Sequence, residues 1–286
     1  MRAISSSPAE GIRESLQEEA RRLLVAAGAA GVPLRLLGGM GIRLLLGERL
    51  DPHFQREVED LDFITTRRAG TDVERLLAAQ GWAPERRFNA VNGRARLLFG
   101  EPAGERRIDV FVGSFRMCHE LALAERLELR EETLPAAELL LTKLQIVALN
   151  AKDRGDLYAL LLGCAVADDD GESSGPPGGA SLQEQARAGG PAAVEHPAGP
   201  AINASRIAAL AAEDWGLYHT LELNLLRLRE GLVDTSLDAS HRERIEARIA
   251  ALGAALQRAP KSRGWRLRAR VGERRRWYED PEEIAR

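Results

Sequence analysis

Two short segments in which acidic residues stand between apolar ones constrain the fold more than any other feature of the sequence. Residues 60–65 read DLDFIT, with Asp60 and Asp62 alternating with apolar residues, and residues 107–112 read RIDVFV, with Asp109 between apolar neighbours. Because successive side chains of a β-strand point to opposite faces, this pattern predicts two strands with buried apolar residues. On the first strand, Asp60 and Asp62 would share a face with Cα atoms about 7 Å apart. A neighbouring strand carrying Asp109 would bring a third carboxylate to that surface.

A glycine pair interrupts an apolar segment ahead of these strands. Residues 33–37 form a short apolar run, Gly38 and Gly39 follow it, and residues 40–46 have helical character. The pattern predicts a strand, a tight turn and a helix. Glycines at such a turn let backbone N–H groups approach a phosphate, and the N-terminus of the helix adds a favourable dipole.

The remaining periodicities predict an α+β fold, in which a mixed sheet is flanked by helices and followed by a helical C-terminal region. Helical spacing occurs over residues 10–28, 71–80, 135–162 and 202–256, with a break near Asn150. Residues 95–99 and 107–112 predict a hairpin, because Pro102 and Gly104 lie in the connection between them.

Composition argues against a membrane-spanning protein and against nonspecific nucleic-acid binding by the whole chain, and it indicates a linker between two regions. The 286 residues are 44% apolar, enough for a packed core, and the net charge of −3 gives no overall positive field for nucleic acid. Cys118 and Cys164 lack metal-ligand spacing, and no segment has the pattern of a signal peptide or membrane span, so a cytoplasmic location is expected. The Gly-, Pro- and Ser-rich residues 167–200 predict a disordered linker between a domain at residues 1–166 and a helical region at residues 201–286.

The three acidic residues predict a metal site. Carboxylates that share a surface repel each other unless cations lie between them, and their oxygens are ligands that Mg²⁺ prefers. Three carboxylates on adjacent strands could hold two metal ions about 3.5–4 Å apart. Such a pair of ions binds the attacking and leaving oxygens of a phosphoryl displacement. Asp60, Asp62 and Asp109 are therefore the candidate catalytic residues and metal ligands. Two Mg²⁺ ions are the expected cofactor, with Mn²⁺ as an alternative.

The order of these motifs resembles that of the polymerase-beta-like nucleotidyltransferases. Members share a Gly-Gly or Gly-Ser turn, an Asp-x-Asp strand and a later single Asp, which here are Gly38-Gly39, Asp60-Leu61-Asp62 and Asp109. The similarity covers about residues 30–162 and is greatest to the group of AbiEii-type abortive-infection toxins and single-domain bacterial transferases. It implies that Asp60 and Asp62 bind both metals and that Asp109 binds one metal while helping to deprotonate an acceptor hydroxyl. It also implies that the glycines hold the β- and γ-phosphates of a nucleoside triphosphate.

Toxin-like members also carry basic residues on a later helix, and the resemblance assigns Lys143, Lys152 and Asp156 to nucleotide binding. Ala148 departs from the pattern, since a second basic residue is usual five positions after the first lysine. Lys143 and Lys152 are nine residues apart, about half a revolution on a continuous helix, so both can face one site only if the helix breaks near Asn150. Lys152 and Asp156, at i and i+4, are near enough to form an ion pair in any case.

Two further groups of basic residues have open interpretations. Arg43, one turn into the helix after the glycine pair, either meets a phosphate of the nucleotide or is solvated. The segment from Arg258 to Arg276 is densely basic, with Trp265 inside it and Trp277 after it. That pattern is typical of backbone contacts and base stacking on RNA, and the alternative is a solvated tail that folds against the acidic body.

The sequence thus predicts an enzyme that transfers a nucleoside monophosphate from a nucleoside triphosphate to a hydroxyl acceptor. One acceptor is RNA such as tRNA, bound by the basic tail in a toxin-like protein that would have an antitoxin as its protein partner. Another is a small molecule, since aminoglycoside nucleotidyltransferases also use Gly-Gly followed by Asp-x-Asp. A catalytically silent nucleotide-binding module is the third hypothesis, and the presence of all three acids argues against it.

Overall fold

The computed structural model describes residues 8–102, 104–171 and 199–280. Its helices are α1 (Pro8–Ala29), α2 (Gly38–Leu46), α3 (Gly70–Ala79), α4 (Arg86–Asn92), α5 (Ala136–Leu144), α6 (Ala151–Gly163), α7 (Ala204–Glu213), α8 (Trp215–Gly231), α9 (Ala239–Arg258) and α10 (Arg263–Val271). Its strands are β1 (Leu34–Leu37), β2 (Leu61–Thr65), β3 (Ala83–Pro84), β4 (Arg96–Gly100), β5 (Arg107–Val112), β6 (Phe115–Arg116), β7 (Glu120–Leu121), β8 (Ala165–Ala167) and β9 (Ala201–Asn203). The predicted α+β class with a helical C-terminal region is confirmed.

Five strands form the central sheet, in the order β1-β2-β5-β4-β3. β2 and β5 are parallel, whereas the other neighbouring pairs are antiparallel. β4 and β5 form the predicted hairpin, in which Leu98 lies opposite Asp109. Parallel neighbours need a crossover connection, and the chain makes it through α3, β3, α4 and β4. The predicted mixed sheet is therefore confirmed.

The alternation of side chains along the strands decides which helices cover each face of the sheet. Phe63 and Val110 are fully buried in a hydrophobic cluster with α1 and α3. Phe111 belongs to a second cluster, formed with α2, α5, α6 and the C-terminal helices. Since neighbouring residues of a strand face opposite sides, Asp62 and Asp109 lie on the second face.

Helix α1 buries the apolar residues that predicted it. Leu16, Ala20, Leu23 and Ala27 are all buried, at alternating spacings of four and three residues. The helix ends at Ala29, and Gly31 follows with φ 66°, a left-handed conformation that glycine adopts without strain. The helix predicted over residues 10–28 is thus confirmed.

The helical segment before the C-terminal half is two helices rather than one. α5 ends at Leu144, and α6 begins after Asn150, whose side chain accepts a hydrogen bond from the N–H of Asp153 at 2.8 Å. This N-cap satisfies a backbone donor that has no partner within the helix, and so fixes the start of α6. The predicted break near Asn150 is confirmed, and the two lysines that the sequence assigned to the site lie on separate helices.

The chain on either side of residues 172–198 is joined by backbone pairing. β8 and β9 are parallel neighbours, and Gly171 forms a further bridge with Pro200. The N–H of Ala201 donates to the carbonyl of Asp170 at 3.2 Å. The described residues at the two ends of the predicted linker therefore pair with each other through their backbones, and so depart from the predicted disorder. Residues 172–198 lie outside the described residues, and the division into domains stays a prediction.

The C-terminal helices pack directly on α5 and α6. Leu221 of α8 and Ile245 and Ile249 of α9 are buried in the same cluster as Leu140 and Leu160. These helices therefore complete the hydrophobic covering of the face on which the acidic residues lie. Within the described ranges, no helix combines the length and apolar character needed to cross a lipid bilayer.

Candidate active site

Asp62 and Asp109 lie side by side at the centre of the sheet. The parallel register of β2 and β5 pairs these two residues directly. Leu61 and Ile108, which precede them, are fully buried, so the core fixes the position of both strands. Paired residues on neighbouring strands present their side chains on the same face. The fold thus brings together two of the carboxylates that the sequence predicted for one surface.

The turn at Gly38 lies directly against Asp62. β1 and β2 are antiparallel neighbours that place Leu37 opposite Asp62, and α2 begins at Gly38. Gly38 has φ 63°, and a Cβ atom at this position would lie 2.0 Å from Oδ2 of Asp62. Glycine alone suits both this backbone conformation and this space. The predicted turn and the predicted carboxylates therefore form one site.

Burial and mutual repulsion oppose ionisation of the acidic pair. Burial, and then the charge of Asp109, raises the pKa of Asp62 from its ordinary value of 3.8 to about 7, although Lys143 and Arg96 act in the other direction. Burial also raises the pKa of Asp109, against the effect of hydrogen bonds from Arg96. Nε of Arg96 lies 2.9 and 3.0 Å from the two carboxylate oxygens of Asp109, and Nη2 donates to Oδ2. The pair therefore favours a proton or a cation near neutral pH.

Asp60 stands at the exposed edge of this pair. The predicted strand boundary is wrong by one residue, because β2 begins at Leu61 and leaves Asp60 in the preceding loop. After burial and nearer charges, the charge of Asp60 is a further cause of the raised pKa of Asp62 and of Asp109. Its carboxylate thus acts on both others while remaining exposed to solvent.

A second group of charges flanks the glycine turn. Nζ of Lys143, on α5, lies 2.9 Å from Oδ1 of Asp153 and 3.3 Å from Oδ2 of Asp156, both on α6. Arg56, in the loop before β2, donates from Nε and Nη2 to the two oxygens of Asp156 at 2.9 and 2.8 Å. A Cβ atom on Gly39 would lie 2.6 Å from Nη2 of Arg56, so the guanidinium packs on the turn itself. Two cations therefore share one buried carboxylate beside the predicted phosphate-binding turn.

Arg43 and Lys152 contact protein groups close to the same loop. Nη2 of Arg43 donates to the carbonyl of Arg56, and so supports the loop that carries the guanidinium. The expected pair of Lys152 with Asp156 is replaced by other contacts: Nζ of Lys152 lies 3.7 Å from Oε2 of Glu59, and Asp156 binds Arg56. Lys152 and Glu59 are both exposed, whereas Asp156 is buried and needs cations that reach into the site. The nucleotide-binding roles of Arg43 and Lys152 stay predictions.

The acidic pair suits a hard cation without forming a closed cage for one. Across residues 8–102, 104–171 and 199–280, no three Asp, Glu, His or Cys side chains are gathered into a ready metal-binding group. Mg²⁺ nevertheless accepts one or two carboxylates together with water and substrate phosphates, and does not require an all-protein cage. The chemistry of the donors therefore fits Mg²⁺, with Asp62 and Asp109 as the central ligands and Asp60 at their edge.

The basic segment near the C-terminus folds as α10 and packs on α8. Trp265, which the sequence offered for stacking on RNA bases, instead packs edge-to-face on Tyr218 with ring centroids 5.2 Å apart. Arg268 likewise points inward and lies over the ring of Trp215 at 4.7 Å. The outer surface of α10 exposes three arginines, Arg263, Arg266 and Arg270. The aromatic residues thus anchor the segment, and the arginines face solvent.

Sequence reasoning missed the two arginines that bind the acidic residues of the site. Arg56 lies in a loop without periodicity, and its partner Asp156 is 100 residues further along the chain, so no local pattern could pair them. Arg96 and Asp109 are only 13 residues apart, on the two strands of the predicted hairpin. A register drawn from that hairpin could have found this second pair, because cross-strand neighbours interact.

Comparison with models of protein families finds no match to this sequence, and comparison with curated proteins finds none either. The resemblance to the polymerase-beta-like nucleotidyltransferases therefore rests on the order and spacing of Gly38, Gly39, Asp60, Asp62 and Asp109. Because a fold alone does not define an activity, the function has to be argued from the site.

Proposed function

We propose that the protein is a metal-dependent nucleotidyltransferase, which moves a nucleoside monophosphate from a nucleoside triphosphate to a hydroxyl group. The observation that carries the proposal is the pairing of Asp62 with Asp109 on parallel strands beside the Gly38 turn. An acidic pair attracts divalent cations, whereas a glycine turn at a helix N-terminus attracts phosphate. A metal-bound triphosphate carries both kinds of group, and so matches the two halves of the site.

The acidic half would hold the metal. Asp60, Asp62 and Asp109 are the residues that would bind Mg²⁺, or Mn²⁺ in its place. When bound, two such ions would neutralise phosphate charge and stabilise the attacking and leaving oxygens. Burial, and then the charge of Asp109, raises the pKa of Asp62 to about 7, and a bound cation would offset both effects.

In this proposal Asp109 accepts the proton of the acceptor hydroxyl. The hydroxyl oxygen forms a bond to the α-phosphorus of the donor, the bond from that phosphorus to the bridging oxygen breaks, and pyrophosphate leaves with the electron pair. The hydroxyl proton passes to a carboxylate oxygen of Asp109. A general base works best when its pKa approaches the operating pH, and burial raises the pKa of Asp109 in that direction. Arg96 orients the same carboxylate through its paired hydrogen bonds.

The β- and γ-phosphates are assigned to the glycine turn and to Lys143. Gly38 and Gly39 open α2, whose first N–H groups lack partners within the helix. Burial lowers the pKa of Lys143, but the neighbouring Asp156 and Asp153 outweigh this effect and raise it overall, so the ammonium group stays charged. Its cationic charge also acts on Asp62, which supports a position between the acidic pair and the phosphates.

RNA is the acceptor that we propose. The supporting observation is the outer surface of α10, where three arginines are exposed, although the whole chain has a net charge of −3. A local basic surface is what a polyanionic acceptor would need on a protein without an overall positive field. Arginine suits this role because its guanidinium binds phosphate through two parallel hydrogen bonds.

The test is Mg²⁺-dependent incorporation of each labelled nucleoside triphosphate into a cellular RNA pool and into small polyhydroxylated acceptors. Asp62→Asn should lower incorporation by orders of magnitude while far-UV circular dichroism stays unchanged. Asp72→Asn, at an exposed position on α3, is the matched control and should retain activity. Wild-type turnover in Asp62→Asn would overturn the proposed function.

The acceptor pattern separates the remaining hypotheses. Incorporation into small acceptors and none into RNA would support a small-molecule transferase of the aminoglycoside type, and would contradict the RNA assignment. Tight Mg²⁺-dependent nucleotide binding without any transfer would instead indicate a catalytically silent nucleotide-binding module.

A further inference from the structure

The carboxylate of Asp156 joins two cations from separate parts of the chain. Its oxygens accept hydrogen bonds from Nε and Nη2 of Arg56 at 2.9 and 2.8 Å, and Oδ2 also lies 3.3 Å from Nζ of Lys143. Asp153 contacts Lys143 at 2.9 Å. The Asp156 side chain is 7% exposed and those of Arg56 and Lys143 are 27% and 16% exposed, so the three charges share a largely dry environment. Such groups are costly to bury unless they hold a defined geometry.

Arg56 lies on the glycine turn that is assigned to phosphate. The position of a Cβ atom on Gly39 would be 2.6 Å from Nη2 and 3.3 Å from Cζ of Arg56, so the guanidinium occupies the space left by the missing side chain. A guanidinium carries five N–H donors. The bonds to Asp156 use two of them, and Nη1 donates to the carbonyl of Glu57 at 2.9 Å. Those contacts account for three of the five donors, and Nη2, which carries a second N–H, lies against Gly39 of the turn.

Asp156 cannot itself attract a phosphate, because both groups are anionic. The resemblance assigned it to nucleotide binding, but its observed partners are cations. We infer that Arg56 is a further contact for the phosphates of the donor, and that Asp156 is a positioning residue that orients both Arg56 and Lys143 toward the Gly38-Gly39 turn. This inference rests on the proposed function, which it extends with two assignments that the sequence did not make.

A purely structural role is the competing explanation. In that case the Arg56–Asp156 bridge only ties the loop before β2 to α6, and its loss would lower stability without changing ligand preference. A phosphate contact instead predicts an effect that grows with the number of phosphates in the ligand. The two explanations therefore differ in binding selectivity and not only in stability.

The experiment measures binding of inorganic tripolyphosphate and of inorganic phosphate to the full chain in the presence of Mg²⁺, by isothermal titration calorimetry. These probes report on the phosphate site without depending on the base of the donor. Arg56→Gln should weaken tripolyphosphate binding by about tenfold or more, because it removes charge-assisted hydrogen bonds. Inorganic phosphate should be affected less than threefold, since it can occupy only part of the site.

Three further variants separate orientation from folding. Arg56→Lys retains a cation without the planar fork and should fall between the wild type and Arg56→Gln. Asp156→Asn should weaken tripolyphosphate binding, and adding it to Arg56→Gln should cost less than the product of the two single effects, because they act through one bond. Asp153→Asn is the matched control: its carboxylate forms an ion pair with Lys143 and acts on Arg56 only through its charge, so it should have a smaller effect than Asp156→Asn.

The outcomes distinguish the inference from the proposed function. If the wild type binds tripolyphosphate no better than phosphate, the proposed function fails and the inference fails with it. If the wild type prefers tripolyphosphate and Arg56→Lys and Arg56→Gln keep that preference while only their melting temperatures fall, the inference alone is overturned. Selective loss of tripolyphosphate binding by Arg56→Gln supports both.

Discussion

Asp62 should make the metal-free protein less stable as the pH rises from about 4 to about 8. Burial and the neighbouring Asp109 raise the pKa of its carboxyl from 3.8 to about 7. Between these values the folded protein binds a proton at Asp62 that the unfolded chain does not, so folding is favoured at the acidic end. The stabilisation is complete below pH 3.8 and is lost as the pH passes through about 7. Asp62→Asn removes the charge and should therefore stabilise the protein at pH 8.

The size of the effect follows from the difference between the two pKa values. Since each tenfold change in proton affinity is about 1.4 kcal/mol, the raised pKa of Asp62 corresponds to at most about 4 kcal/mol at pH 8. The side chain retains some solvent contact, and solvent screening reduces such an effect, so about 2 kcal/mol is the expected gain in unfolding free energy for Asp62→Asn.

Urea denaturation in the presence of a chelator, at intervals between pH 4.5 and 8.5, measures this gain. The difference between Asp62→Asn and the wild type should be small at pH 4.5 and should grow through pH 7. Asp72→Asn, at an exposed position outside the site, is the control. Adding Mg²⁺ at pH 8 should narrow the Asp62→Asn difference, because a cation bound to the folded wild type stabilises it. A difference that stays constant across this pH range would refute the reasoning.

Three other changes probe the turn, the acidic pair and the basic helix. Gly38→Ala should lower the unfolding free energy, measured by urea denaturation, by about 1–3 kcal/mol through backbone strain and contact with Asp62. Gly31→Ala, at a position with a similar φ and open space around it, is the control and should cost less. Arg96→Gln should tighten Mn²⁺ binding in the absence of nucleotide, measured by electron paramagnetic resonance, because the guanidinium competes for Asp109; weaker binding would mean that Arg96 supports the metal site. Replacement of Arg263, Arg266 and Arg270 by glutamine should weaken the salt dependence of RNA binding. In nitrocellulose filter binding, the slope of log affinity against log salt concentration should fall by about 0.7–0.9 for each lost phosphate contact. An unchanged slope would contradict the RNA assignment.

The elements with a strong local pattern could be predicted from the sequence. Leu16 and Leu23 mark the buried face of α1, and the alternation around Asp109 gives β5 its two buried neighbours. The strand, turn and helix around Gly38 were also predictable, because the apolar run, the glycine pair and the next apolar run follow in order. In each case the residues that determine the element lie within a few positions of each other.

Elements that depend on distant partners could not be predicted in this way. β8 and β9 have three residues each and pair in parallel, although residues 168–200 separate them along the chain. Helix α4 is seven residues long, too short for helical periodicity to stand out. The parallel pairing of Asp62 with Asp109 likewise depends on the crossover through β4, which sequence spacing does not specify.

The acidic residues and Lys143 could be predicted from the sequence, whereas Arg56 and Arg96 could not, for a physical reason. Asp62 and Asp109 interrupt strands that otherwise bury apolar side chains, so each stands out as an acid in an apolar context. Arg56 and Arg96 are long side chains among many in a chain with 40 basic residues, and their function depends on which carboxylate they reach. Only the folded arrangement shows that Arg56 reaches Asp156 and that Arg96 reaches Asp109.

The way in which these charges are paired bears on the function. Had the network served only to neutralise charge, Lys143 would be expected to form its closest ion pair with Asp62, whose ionisation is opposed by burial. Instead Asp156 and Asp153 hold Lys143, and Asp156 also holds Arg56. An acidic half with a carboxyl pKa of about 7 thus remains beside a basic half whose cations are held on α6. Holding the two halves apart in this way costs electrostatic energy in the free protein. Binding of a metal-bound triphosphate would recover that energy, because the metal ions would contact the carboxylates and the phosphates would contact the cations and the Gly38 turn.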